Sequence, residues 1–239
     1  MPSLLDMIMM PGRRSYTADD IPSPPLTFIS GVPCLKLGSG SRVAMYLHGN
    51  YEDLGTAWRF GVTLAERLDC TLYIPEYRGY GIHSGPVSPV HTISDVRRVL
   101  RAIARHHHTQ VHVIGYSIGT AVASAAVGTS RDIVASVTLL APPHSAHTMV
   151  EHYTTPGIAT LMAGDHVFHS AKWLDKYNKP VFIVHGTNDN IVPFSNALKI
   201  KRDLGPHRIV LHALRGATHQ IDWNTSLLDN IDMWWVMAT

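Results

Sequence analysis

Only two cysteines, Cys34 and Cys70, occur in the 239 residues, far apart in the chain. A secreted domain stapled by disulfides normally uses more, so both are read as buried thiols of a reducing compartment, and the chain as intracellular, in the cytoplasm. An excess of one charge is also missing. Twenty basic and 18 acidic residues leave a net charge of +2 with His neutral, too little and too evenly spread for an electrostatic nucleic-acid binder. No apolar run reaches the ~18 residues of a membrane-spanning helix. The opening MPSLLDMIMMPGRR carries its basic residues after its apolar ones, the reverse of a signal peptide. It is read as a short amphipathic flap packed on the domain, with peripheral contact to a membrane as the alternative. Internal repeats are lacking too.

What is present is a globular composition, 45% apolar and 16% charged, long enough for one domain with a sizeable core. The turn formers of SYTADDIPSPP mark an entry arm over about residues 1–25. Beyond it, short apolar runs alternate with helical patterns. Strands are expected over Val32–Leu37, Arg42–Leu47, Thr71–Pro75, Val111–Ile114, Val134–Leu140, Val181–His185 and Arg208–Leu214. Helices are expected over Ala57–Leu68, Ile93–Arg105, Ile118–Val127, Ser195–Leu204 and Ser226–Met237. The alternation predicts an α/β fold, a doubly wound and mostly parallel sheet covered on both faces. Pro142–Pro180 breaks the rhythm with prolines, histidines and weak periodicity, and is expected to form a small cap insertion.

The most specific motif is Gly115-Tyr116-Ser117-Ile118-Gly119, between the apolar run VHVI and the small-residue helix TAVASAAV. A sharp strand-to-helix reversal needs glycine on either side, and it exposes the Ser117 hydroxyl at the carboxyl edge of the sheet. It also aims the Ile118 N–H at the position where an oxyanion would develop. A serine hydroxyl needs a base, and the base needs an orienting acid. In such a fold these follow in the order Ser, Asp, His. Asp189 follows the strand VFIVHG and His219 follows the next strand, which puts both at the same edge as Ser117. Asp222 is the rival acid. The loop His48-Gly49-Asn50 after the strand VAMYL is expected to supply a second oxyanion donor, the Asn50 N–H, with His48 in a structural role.

Sixteen histidines offer other bases. His185 is read as a packed residue, His106, His107 and His108 as the basic end of a helix, and His144 and His147 as insertion residues within reach of substrate. Tyr51 and Tyr116 flank the oxyanion loop and the nucleophile and are candidate substrate contacts. Tyr153, Ile158, Leu161, Met162 and Phe168 of the insertion either line an acyl pocket or pack the cap onto the domain. No metal and no cofactor are expected.

HGNYEDLG, EYRGYGIHSG, GYSIG, HGTNDNIVP and the ATH triplet resemble, in order and spacing, the alpha/beta-hydrolase-domain proteins of the bud-emergence type, in particular the branch containing the protein depalmitoylases. The resemblance runs from about Met9 to the last helix, and MMPGRRSY is similar to that group's proline-containing arm. It implies the alpha/beta-hydrolase fold, Ser117, Asp189 and His219 as nucleophile, acid and base, and Asn50 and Ile118 as oxyanion donors. Three features depart from the pattern. His83 stands where the group has serine, Thr218 where glycine commonly precedes the histidine, and the cysteine-rich N-terminus that anchors the depalmitoylases to lipid is absent. The expected activity is cleavage of an acyl ester or thioester, of a small acyl substrate or an acylated protein. A catalytically dead scaffold acting as a binding module, and a peptidase on the same fold, are the alternatives.

Overall fold

The computed structural model describes Met10, Tyr16, Ile21, residues 25–155, Gly157, Ile158, Thr160 and residues 167–238. Eight strands form one sheet in the order β1-β2-β4-β3-β5-β6-β7-β8: β1 Leu26–Ile29, β2 Val32–Leu37, β3 Arg42–Leu47, β4 Cys70–Pro75, β5 Val111–Tyr116, β6 Val134–Leu140, β7 Val181–Gly186 and β8 Ile209–Leu214. The first two are antiparallel to their neighbours and the rest run parallel. The hairpin at the edge closes through Ser30-Gly31, both at positive φ (52° and 78°), the two-residue turn that matches strand twist.

The inner strands show why both faces are covered. Val43, Met45 and Leu47 belong to one buried cluster, Ala44 and Tyr46 to the other, and β7 splits its Val181 and Ile183 from Phe182 and Val184 in the same way. Side chains alternate across a strand, so an uninterrupted apolar run needs helices on both sides. Helices α1 (Leu54–Arg67) and α7 (Thr225–Ala238) cover one face; α2 (Pro89–His107), α3 (Ile118–Val127), α5 (Ser170–Tyr177) and α6 (Ser195–Leu204) cover the other. Two helices start earlier than the apolar pattern alone suggests because of their caps. Asp53 and Thr56 form a reciprocal capping box that begins α1 at Leu54, and Ser88 with Pro89 begins α2.

The insertion proves to be two different things. Helix α4 (Ala146–Tyr153) follows β6 at the cleft edge, whereas α5 is the crossover between the parallel strands β6 and β7. It lies so close to α3 that a Cβ on Gly128 would fall 2.6 Å from the Trp173 carbonyl oxygen. The second half of the expected cap is therefore part of the covering layer. Among the described residues, no helix is long and apolar enough to cross a membrane.

Candidate active site

Four strand ends converge at one edge of the sheet, the carboxyl edge where open parallel sheets bind ligands. Ser117 follows β5 at φ 51°, ψ −122°, a conformation costly for a residue with a Cβ and typical of functional turns. It is tied down by its N–H to the Leu140 carbonyl (2.9 Å) and by Thr120 N–H to its own carbonyl (3.0 Å). A Cβ on Gly115 would come within 2.8 Å of the Gly119 carbonyl oxygen, and one on Gly119 would run into the Leu47 carbonyl. Neither position admits a side chain, Gly115 because the start of α3 lies against it and Gly119 because the end of β3 does.

The Ser117 hydroxyl is 3.0 Å from His219 Nε2, and His219 Nδ1 is 2.8 Å from Asp189 Oδ2. Asp189 Oδ1 accepts the N–H groups of Ile191 (2.9 Å) and Val192 (2.8 Å). Burial by itself would raise the pKa of this carboxyl. The bonds from His185, His219 and the Val192 N–H outweigh it and hold the group well below the usual carboxylate range. Asp222 is exposed, lines the cleft, and bonds to Asn224 Nδ2 (3.4 Å). His219 turns to Asp189.

His185 is fully buried. Its Nε2 lies 2.8 Å from the Val192 carbonyl and 3.3 Å from Asp189 Oδ2, so the packed histidine also steadies the Asp189 loop. His144 pairs with Asp203 of α6 (2.7 Å) and His147 reaches Thr160 (3.4 Å). Neither lines the cleft, against the expectation that they touch substrate. His107 bonds to Tyr73 (2.9 Å) and His108 caps α2 in the left-handed conformation. Among the described residues no group of three His, Cys, Asp or Glu side chains is placed to hold a metal.

A cleft of about 1060 Å³ opens beside Ser117. Asn50, Ile118, Tyr51 and Tyr116 border it, and Met149, Val150, Tyr153, Ile191, Val192, Ile221 and Trp223 make much of its wall apolar. Tyr51 is 78% exposed at the mouth. Phe168 is a correction. It is 1% exposed and belongs to the core cluster shared by α3, α5 and α6, and its carbonyl accepts the Ala146 N–H (2.8 Å) where the chain turns into α5. It packs the crossover and leaves the cleft wall to α4. Leu161 and Met162 lie outside the described residues, and Ile158, 45% exposed, is not in the wall. Of the departures from the family pattern, His83 closes its own loop, Nδ1 lying 3.0 Å from the Glu76 carbonyl, and Thr218 lines the cleft.

Sequence reasoning missed the contacts behind the His48-Gly49-Asn50 loop. The Gly49 N–H donates to the Glu52 carboxylate, which also accepts the Tyr46 hydroxyl (3.0 Å). The Tyr80 hydroxyl donates to Asn50 Oδ1 (2.7 Å). The first two contacts are local to β3 and the loop after it, whereas the third joins loops 30 positions apart, which no spacing in the chain announces.

The alpha/beta hydrolase fold model matches residues 45–155. Alpha/beta hydrolase domain-containing protein 17C of Xenopus tropicalis is 31% identical over 172 residues, 70% of this chain and 53% of that protein. The human protein 17B is 28% identical over 165 residues, 65% of this chain and 53% of its own length. The chain thus spans about half the length of the curated relatives it matches. Among solved structures, a meta-cleavage product hydrolase from Pseudomonas fluorescens superposes with a TM-score of 0.68 at 15% identity, over 92% of this chain and 99% of that one. A monoacylglycerol lipase from Paleococcus ferrophilus does so at 0.60 and 16%, over 87% and 99%. Sheet order, family match and relatives together give this chain the alpha/beta-hydrolase fold.

Proposed function

We propose that the chain is a serine hydrolase cleaving acyl esters or thioesters through an acyl-enzyme. The observation that carries this reading is the continuous bond chain from Ser117 Oγ through the His219 imidazole to Asp189. His219 takes the Ser117 proton as the hydroxyl oxygen attacks the acyl carbonyl. Asp189, ionised and held by two backbone N–H groups, fixes the tautomer and stabilises the imidazolium. The N–H groups of Asn50 and Ile118 receive the oxyanion. His219 then returns the proton to the leaving alcohol or thiol. Water, deprotonated by the same histidine, releases the acid and restores Ser117.

The apolar wall formed by Met149, Val150, Ile191 and Ile221 suits an acyl chain. The resemblance to the depalmitoylase branch favours a protein-linked acyl group among such substrates. The test is labelling by a fluorophosphonate probe, read by intact mass on wild type and Ser117→Ala. Labelling of the wild type alone is expected. Equal labelling of both removes Ser117 as nucleophile, and a wild type inert to both probe and esters favours the scaffold reading.

A further inference from the structure

Behind the oxyanion loop lies a buried charged group that the reaction scheme above leaves unused. His48 and Glu76 are both fully desolvated. His48 Nδ1 lies 2.9 Å from the Gly49 carbonyl and Nε2 lies 3.1 Å from Glu76 Oε1. Both ring nitrogens face acceptors, so both carry protons. Burial opposes that charge, but the Glu76 carboxylate outweighs it and raises the pKa of His48 above its ordinary value. The ring also stacks on Tyr77, 3.9 Å between centroids, and the Tyr77 hydroxyl donates to the His48 carbonyl (2.9 Å).

The target of this cation is the Gly49–Asn50 peptide. Its carbonyl accepts from His48 Nδ1 and from the Glu52 N–H (3.3 Å). In a trans peptide the N–H points opposite to the carbonyl, so gripping the Gly49 oxygen from behind directs the Asn50 N–H forward, where the cleft lies. The orientation of the oxyanion donor therefore depends on the position of His48, and His48 depends on Glu76.

Glu76 in turn is held by Tyr16. Its Oε2 accepts the Tyr16 hydroxyl at 2.6 Å and the Leu54 N–H at 3.1 Å. Tyr16 is 8% exposed, and its ring fills a socket that two glycines leave open. A Cβ on Gly55 would lie 2.7 Å from the Tyr16 Cβ, and a Cβ on Gly81 would strike both the Tyr16 ring and the Glu76 carboxylate.

We propose that Tyr16 is a positioning residue for catalysis, a latch carried on the N-terminal arm that holds the Asn50 oxyanion donor in place through Glu76 and His48. The inference rests on the serine hydrolase reading for its kinetic consequence, while the geometry it asserts is independent of turnover. Removing an oxyanion donor outright costs about 10²–10³ in rate. Loosening one through two intermediaries is expected to cost about tenfold in kcat with KM within about twofold, because the acyl wall is untouched.

Two variants test the latch. Tyr16→Phe keeps the ring in the socket and removes the hydroxyl. Gly55→Ala favours the helix locally yet expels the ring. Both are measured for ester hydrolysis, for cooperative melting, and by NMR of the Asn50 amide and the His48 ring nitrogens. The expected result is a lowered kcat in both folded variants with the Asn50 amide and His48 resonances displaced. A folded Tyr16→Phe with wild-type kcat and an unmoved Asn50 amide overturns the proposal and leaves Tyr16 a packing residue. If the wild type shows no turnover that depends on Ser117, the hydrolase reading fails. The NMR comparison then decides the latch alone: an unmoved Asn50 amide overturns it and a displaced one supports it.

Discussion

The Tyr116 ring lies over the His219 imidazole, 5.5 Å between centroids and 28° between planes, and its hydroxyl donates to the His219 carbonyl at 3.0 Å. Tyr116, next to Ser117, thus holds the His219 imidazole from two directions. Burial first, then Glu52 and Asp189, push its own pKa up to about 12, so the phenol stays protonated as a donor through neutral pH. Tyr116→Phe keeps the stack and loses one bond, and kcat/KM is expected to fall by about three- to tenfold. Tyr116→Ala loses both supports, and about a hundredfold drop is expected. Equal activity of the alanine variant and wild type in ester hydrolysis would show that His219 needs neither.

Asp189→Asn and His219→Ala are each expected to lower kcat by about 10⁴-fold or more with the fold intact. Asp222→Asn should stay within a few-fold, since its carboxylate bonds to Asn224 and not to His219. Side-by-side kinetics and circular dichroism of the three variants check this. A larger loss for Asp222→Asn than for Asp189→Asn reverses the choice of acid.

Stability should fall in mild acid because of His112. This residue is buried, stacked 4.1 Å from Trp235, with Nδ1 2.8 Å from Ser136 Oγ. Burial, and secondarily Arg42, lower its pKa from 6.5 to about 4. A histidine that is harder to protonate when folded makes the unfolded chain the better proton acceptor. The fold therefore loses stability as pH drops from 6.5 to about 4 and loses no more below that from this group. The size is roughly 3 kcal/mol. Denaturant melts of wild type and His112→Gln across this range measure it, and parallel pH dependence in the two proteins would remove His112 as the cause.

Chain-length preference should follow the α4 side of the cleft and ignore Phe168. Each further buried CH₂ adds about 0.8 kcal/mol until the wall ends, so specificity constants on p-nitrophenyl esters and acyl thioesters should climb and then drop. Met149→Ala, which enlarges the wall, is expected to move the drop to longer chains. Phe168→Ala is expected to leave it in place and to lower stability by about 3–5 kcal/mol, the cost of emptying a core aromatic site. A shift of chain length in Phe168→Ala without loss of stability would return that residue to the substrate wall.

Most of the fold was legible because the inner strands of a sheet covered on both faces read as apolar runs, and the helices between them keep their period. The first strand escaped because LTFI is short and its only announcement is the Ser30-Gly31 pair, a hairpin turn in hindsight of its two positive φ angles. Helices α4 and α5 escaped because the histidines and prolines around them mask a short apolar face. Which half of that region covers the cleft and which half crosses between β6 and β7 depends on strand pairing, and pairing is not local.

By itself the sequence determined the chemistry-bearing residue types, their order and their strand-end positions, since glycines around a serine and turns after apolar runs are constraints on neighbouring backbone. Tertiary structure alone decided that Phe168 belongs to the core and that Tyr16, Glu76 and His48 stand in line behind Asn50. Those relationships join residues as much as 60 positions apart. Their hydrogen bonds exist only once the sheet has brought the strand ends together and taken the water away.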